Sequence, residues 1–305
     1  MNTFFSVFDQ VMSLFLCIMI GYILARRQIL PKNADVAVSR VLSWVCLPAM
    51  IIGSFGANCT PSNLKSNLTS LIYCVVMLAI TFVLSLFIAP KFTHKASEII
   101  IYRYSIIITN FGFMGYSMIN GLLGEEALFR YMIFALPASV FTYTVGVIWL
   151  TAGKEKFSWK MLVNPMFVSL LIGVIIGLFA VPLPTFVTRT IEGCRGCFSP
   201  LAMILTGIVI ARFDFISLLK KKEVYALTLL RLVLLPLFFF ALTLLLRVPK
   251  DIRLMIMFYS AMPLGLNTIV FPAAYGGDET PGASMAIISN VAALITVPLL
   301  LSLIL

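Results

Sequence analysis

Apolar residues along this chain fall into ten runs bounded by charge, proline or glycine, each close to the length of about 20 residues that crosses a hydrocarbon core. The runs cover 4–25, 36–55, 68–89, 98–122 and 127–151, then 162–180, 187–211, 224–246, 252–275 and 283–305. Hydrocarbon offers no water to a backbone amide or carbonyl, so each run must satisfy these groups within itself. The pattern therefore predicts an all-α integral membrane protein of ten transmembrane helices. The first run lacks a basic leader and a small-residue cleavage site and is followed by further runs, so it reads as a retained span.

The runs divide into two sets of five, residues 1–155 and 156–305, and the two sets can be laid over each other. Ile20-Gly21 falls on Ile172-Gly173 and Pro48 on Pro200 at an offset of 152, and Gly124-Glu125-Glu126 falls on Gly277-Asp278-Glu279 at 153. Five is odd, so the second set enters the membrane from the opposite side, and the repeat is expected to be inverted.

Two runs carry residues that suit a spanning helix badly. The fourth contains Thr109-Asn110-Phe111-Gly112-Phe113-Met114-Gly115, and the ninth contains Ala261-Met262-Pro263-Leu264-Gly265-Leu266-Asn267. Broken backbone is tolerated in a membrane where it lines a cavity, and Asn110 and Pro263 stand 153 residues apart, at matching places in the two repeats. Helices 4 and 9 are therefore expected to be broken and to cross at the midplane. The amino ends of their second halves would present partial positive charge, which suits an anion. Asn110, Gly112, Gly115, Pro263, Gly265 and Asn267 are the expected substrate-binding residues. The competing reading makes the glycines close-packing residues and the asparagines cross-helix hydrogen-bonding residues.

Composition sharpens the membrane reading. Of 305 residues, 61% are hydrophobic and 11% charged, against roughly a quarter charged in soluble domains; the mean hydropathy is +1.07. The net charge of +10 lies in short clusters between runs, as expected for loops facing an anionic leaflet rather than for nucleic-acid binding. With both termini outside, the inner loops collect most of the 22 basic residues, although Arg247, Lys250 and Arg253 fall outside and Asp278-Glu279 inside. This orientation suits the plasma or inner membrane of a cell.

Charges inside the runs are few. Arg103 and Arg130 lie near span ends and can reach the headgroups. Arg231 lies about 10 Å into the eighth run and is a weaker candidate for an anion contact. Glu192 and Arg195 are three residues apart and are expected to neutralise each other; alternatively, Glu192 couples transport to protons. Cys194-x-x-Cys197 has metal-site spacing without a second pair, the sole histidine, His94, falls in a loop, and the cysteines read as packing residues. No metal or cofactor is expected, and no nucleophile elbow or phosphate loop supports an enzyme.

At the two broken runs the chain resembles the auxin efflux carrier family, in the form of its bacterial permeases. The resemblance spans essentially the whole chain. It rests on Asn110-Phe111-Gly112-Phe113-Met114-Gly115, on Gly124-Glu125-Glu126, on Leu47-Pro48-Ala49-Met50, and on Ala261-Met262-Pro263 with Tyr275-Gly276-Gly277-Asp278. It implies a ten-helix inverted repeat, a scaffold from 1–58 and 160–211, and a transport core from 64–152 and 223–305. It further implies a homodimer with an elevator movement of the core and organic acid anions as substrates, with Asn110 and Pro263 at the two crossings. Where the family commonly has a proline within two residues of the position of Gly115, this chain has Tyr116-Ser117. A receptor using the same pocket and a cation antiporter on a similar fold are the competing functions. An antiporter generally needs intramembrane aspartates, and the runs hold none deep inside.

Overall fold

The computed structural model describes residues 3–151, 153–214, 218–219, 221–274 and 278–305, without the side chains of 160, 162, 273 and 274. Lys220 and the Tyr275-Gly276-Gly277 of the second acidic tip lie outside the described residues. Among the described residues all regular structure is helical. The principal helices are α1 (Thr3–Arg26), α2 (Ala34–Asn58), α3 (Pro61–Ile88), α4 (Ala96–Ile107), α5 (Tyr116–Phe141), α6 (Pro165–Leu178), α7 (Thr185–Ile210), α8 (Lys222–Leu245), α9 (Lys250–Ala261), α10 (Asn267–Ala274) and α11 (Thr280–Leu301).

Seven described helical stretches are long and apolar enough to cross a membrane, and the chain is a multi-pass membrane protein. The three other runs merge, shorten or divide. Runs 98–122 and 127–151 fall within one 55-residue stretch, Ala96–Leu150, more than twice a membrane's requirement. That stretch turns at Gly124, whose φ of 79° is open to a residue without a Cβ. Run 162–180 is the 14-residue α6, and run 252–275 is divided between α9 and α10. Large apolar side chains point outward along these helices, Trp44, Ile72, Phe87, Leu171 and Leu245 among them, as a lipid-facing surface requires.

Local chemistry places the ends and bends. Thr60 Oγ1 accepts from the Asn63 N–H at 3.2 Å, and Asn164 Oδ1 from Met166 N–H at 3.0 Å, each cap followed by proline at the first helical position of α3 and α6. Pro48 cannot donate to Trp44, and α2 widens into a π-type turn over Leu42–Cys46. Its partner in the sequence overlay, Pro200, follows a bend at Cys197 in α7. Pro236 likewise follows the wide turn Leu230–Leu234 in α8.

Packing follows glycine. α1 lies against the second half of α7, and α2 against α6 and the first half of α7. A Cβ on Gly21 would fall on the Ile204 carbonyl and one on Gly207 on the Ile18 carbonyl, so α1 and α7 meet backbone to backbone. Gly173 and Gly177 bring α6 equally close to Phe55 of α2. The remaining helices wrap a buried aromatic centre that includes Tyr104, Tyr116, Phe129, Tyr131, Phe134 and Phe258.

Candidate functional site

Helix α4 stops at Ile107, after which Ile108 is extended and Asn110 lies outside helical geometry; the chain resumes in a wide turn over Phe111–Gly115 and continues into α5. Four successive β-branched residues, Ile106 to Thr109, precede Gly112 and Gly115, so helix propensity is poor on both sides of the break. On the other side α9 stops at Ala261. Met262 is extended at φ −68°, ψ 143°, the conformation that a following proline imposes. Helix resumes at Asn267.

The breaks touch. The Asn110 N–H donates to the Pro263 carbonyl at 2.8 Å, and the Tyr259 ring stacks on Phe111 with centroids 5.5 Å apart. Other unwound groups find partners on α11: the Leu264 N–H donates to Ser289 Oγ at 3.1 Å, and Asn290 Nδ2 donates to the Leu264 carbonyl at 3.4 Å. Freed backbone groups are thus re-satisfied by protein, which keeps a broken helix affordable in a membrane.

Beside the crossing lies a cavity of about 60 Å³. Thr109, Asn110, Gly112, Gly265 and Asn267 line it from the crossing, Ser139 from α5 and Thr142 and Tyr143 from the wide turn Thr142–Gly146 that follows it, and Leu47 and Met166 from α2 and α6. Among the described residues its lining carries no charged side chain. Asn110 is 4% exposed, and its Nδ2, like Thr109 Oγ1, is buried without a hydrogen-bond partner. Asn267 Nδ2 donates to Tyr104 Oη at 2.9 Å. Such an interior can hold a polar guest by amide dipoles and neutral donors, since the first N–H groups after each break lack intrahelical partners.

The six expected residues therefore divide. Asn110, Gly112, Gly265 and Asn267 line one cavity, whereas Pro263 contributes the carbonyl that receives Asn110. Gly115 stands behind the cavity, where an added Cβ would lie 2.6 Å from Tyr131 Oη. Ser139, Thr142 and Tyr143 were not singled out from the sequence, yet their i, i+3, i+4 spacing puts three polar groups on one helix face of an apolar run.

The charged candidates lie elsewhere. Arg195 does not neutralise Glu192: its Nη2 lies 2.7 Å from Glu125 Oε1, while Glu192 is exposed and forms no ion pair among the described residues. Both border a separate cavity of about 300 Å³ with Gly53 and Thr188. Arg130, expected to reach the headgroups, pairs with Glu126 and lies 3.6 Å from Asp251. Arg231 is absent from the described lining of the crossing cavity and donates from Nη1 to the Ser260 carbonyl at 2.6 Å. All six cysteines are free.

A family model described as membrane transport protein matches residues 6–157 and 151–301. An uncharacterized transporter of Methanothermobacter thermautotrophicus is 26% identical over 211 residues, covering 66% of this chain and 67% of that protein. An uncharacterized transporter of Methanocaldococcus jannaschii is 21% identical over 304 residues, covering 95% of this chain and 96% of that protein.

Proposed function

The chain belongs to the membrane transport protein family, that of the auxin efflux carriers, and on that premise we propose that it is a secondary carrier of a small organic anion, a mono- or dicarboxylate. The observation that carries this reading is Asn110, which joins the two breaks through its backbone and leaves its buried Nδ2 without a partner beside an uncharged cavity. A carboxylate would take that donor together with the amide ends at Phe111 and Asn267. Neutral donors bind an anion without the deep well a fixed cation would create, so release stays fast enough for transport.

The cavity has room for about four to six waters. A longer carboxylate gains room if Leu47 and Met166, which wall the cavity on that side, draw away from the crossing. Both belong to α2 and α6, which with α1 and α7 make the proposed scaffold, and the rest makes the proposed core. An elevator displacement of core against scaffold supplies such a separation. The glycine contacts support the two-repeat part of the reading: exchanging the repeats turns the α1–α7 pair, through Gly21, into the α6–α2 pair, through Gly173.

An inside-negative potential drives an anion outward by about 2.3 kcal/mol per charge per 100 mV, so export or uniport needs no coupling ion. The proposal places the protein as a homodimer in the plasma or inner membrane with both termini outside. The test is a thermal-shift screen of purified protein against small mono- and dicarboxylates, where a ligand at 100 times its Kd adds about 2.7 kcal/mol. A screen in which amines stabilise the protein and carboxylates do not sinks the reading.

A further inference from the structure

Arg231 is 3% exposed in the wide turn of α8, and among the described residues no carboxylate pairs with it. Burying a guanidinium without compensation costs several kcal/mol, so the surrounding groups must answer its charge. A carbonyl end does so at Nη1, while Nε is buried without a hydrogen-bond partner. Nη1 reaches the carbonyl of Ser260, the penultimate residue of α9. Ile106 and Ile107, the last residues of α4, border the same small void, and Tyr259 Oη donates to the Ile107 carbonyl at 3.2 Å. Arg231 thus holds the carboxyl end of α9 directly, and the carboxyl end of α4 borders the same void, tied to α9 through Tyr259. Each end carries about half a negative charge, and two such ends match one guanidinium.

The crossing thus has two electrostatic sides, amide ends toward the cavity and carbonyl ends toward Arg231. In carriers built from half-helices the carbonyl ends are where a coupling cation is held. We propose that Arg231 is a built-in replacement for that cation, a positioning residue that holds the two carbonyl ends together and frees the carrier from ion coupling. The consequence for coupling rests on the carrier reading above; the electrostatic role does not.

Melting curves of the purified full chain in choline, sodium and methylguanidinium chloride test it. Wild type is expected to melt alike in sodium and choline. Arg231→Lys stays near wild type, whereas Arg231→Gln, which keeps a side-chain donor but has no charge, melts lower. Arg231→Ala melts lower too and regains stability in low-millimolar methylguanidinium. The proposal is overturned if Arg231→Gln melts at or above Arg231→Lys, if methylguanidinium moves Arg231→Ala no more than wild type, or if wild type requires sodium for its stability. Should Arg231→Ala not fold, the order of the lysine and glutamine variants decides. No transported anion enters these curves, so failure of the carrier reading and failure of this one are separately visible.

Discussion

Arg195 of α7 holds Glu125, at the first acidic tip, with Nη2 2.7 Å from Oε1. Just past the carboxyl end of the same helix, Arg212 lies 2.9 Å from Asp35 and 3.6 Å from Glu279 of the second tip. The sequence overlay places the two tips on each other, so one helix of the proposed scaffold reaches matching tips of the proposed core, one from its middle and one from just past its carboxyl end. Glu125 is 54% exposed, and a pair so open to solvent contributes about 0–1 kcal/mol. Glu125→Gln should therefore leave the melting temperature nearly unchanged and alter carboxylate flux in liposomes. The charge-swapped pair Arg195→Glu with Glu125→Arg should restore the flux. Strictly additive effects in the double-mutant cycle would show that the contact does not govern movement.

Asn110 separates an anion site from a cation site. Its backbone N–H holds Pro263 whatever the side chain, and its Nδ2 has no partner to lose, so Asn110→Ala should cost no more than about 1–2 kcal/mol of stability. The carboxylate-induced thermal shift should vanish. Asn110→Asp keeps the shape and adds a negative charge beside the guest, weakening carboxylate binding at least about tenfold, or 1.4 kcal/mol. Retained carboxylate binding in Asn110→Asp counts against the site.

The two glycines of the first break should respond differently. A methyl at Gly112 meets nothing within 4 Å and enters the cavity, so Gly112→Ala should melt like wild type and bind carboxylates less well. At Gly115 it would press on Tyr131, whose ring is wholly buried and has no room to swing. Gly115→Ala should lose about 1–3 kcal/mol of stability in a chemical melt. Equal behaviour of the two variants would remove the distinction between a lining glycine and a packing glycine.

The breaks were legible in the sequence because their cause is local. Glycine, proline and β-branched residues disfavour helix wherever they stand, and Pro263 sets Met262 without help from tertiary structure. The apolar runs were legible for a similar reason, since length and hydropathy are properties of a segment. What the segment does not hold is the partner. Glu192 is near Arg195 along α7, yet Arg195 turns across Gly53 of α2 to Glu125, a choice made by helix packing. Arg231 reads as a weak anion contact about 10 Å into its run until the fold sets the carboxyl end of α9 against it and that of α4 beside the same void. Leu47 and Met166 look like any other apolar residues, and only the meeting of α2 and α6 with the crossing turns them into cavity walls.

Those two walls yield the last prediction. Met166 is buried at the edge of the cavity, and Met166→Ala removes its flexible end, enlarging the space without touching Asn110 or the helix ends. A buried methionine truncated to alanine typically costs 2–5 kcal/mol; because this one borders existing space, about 2 kcal/mol is expected. The guest should change as well: in a thermal-shift series of dicarboxylates of increasing length, Met166→Ala should favour longer members relative to wild type. Met203→Ala is the control, since Met203 is fully buried in α7 and does not border the cavity. It should lose stability and keep the wild-type order of preference. An unchanged order in Met166→Ala would mean that the guest never reaches this wall, and the substrate path would have to run along another side of the crossing.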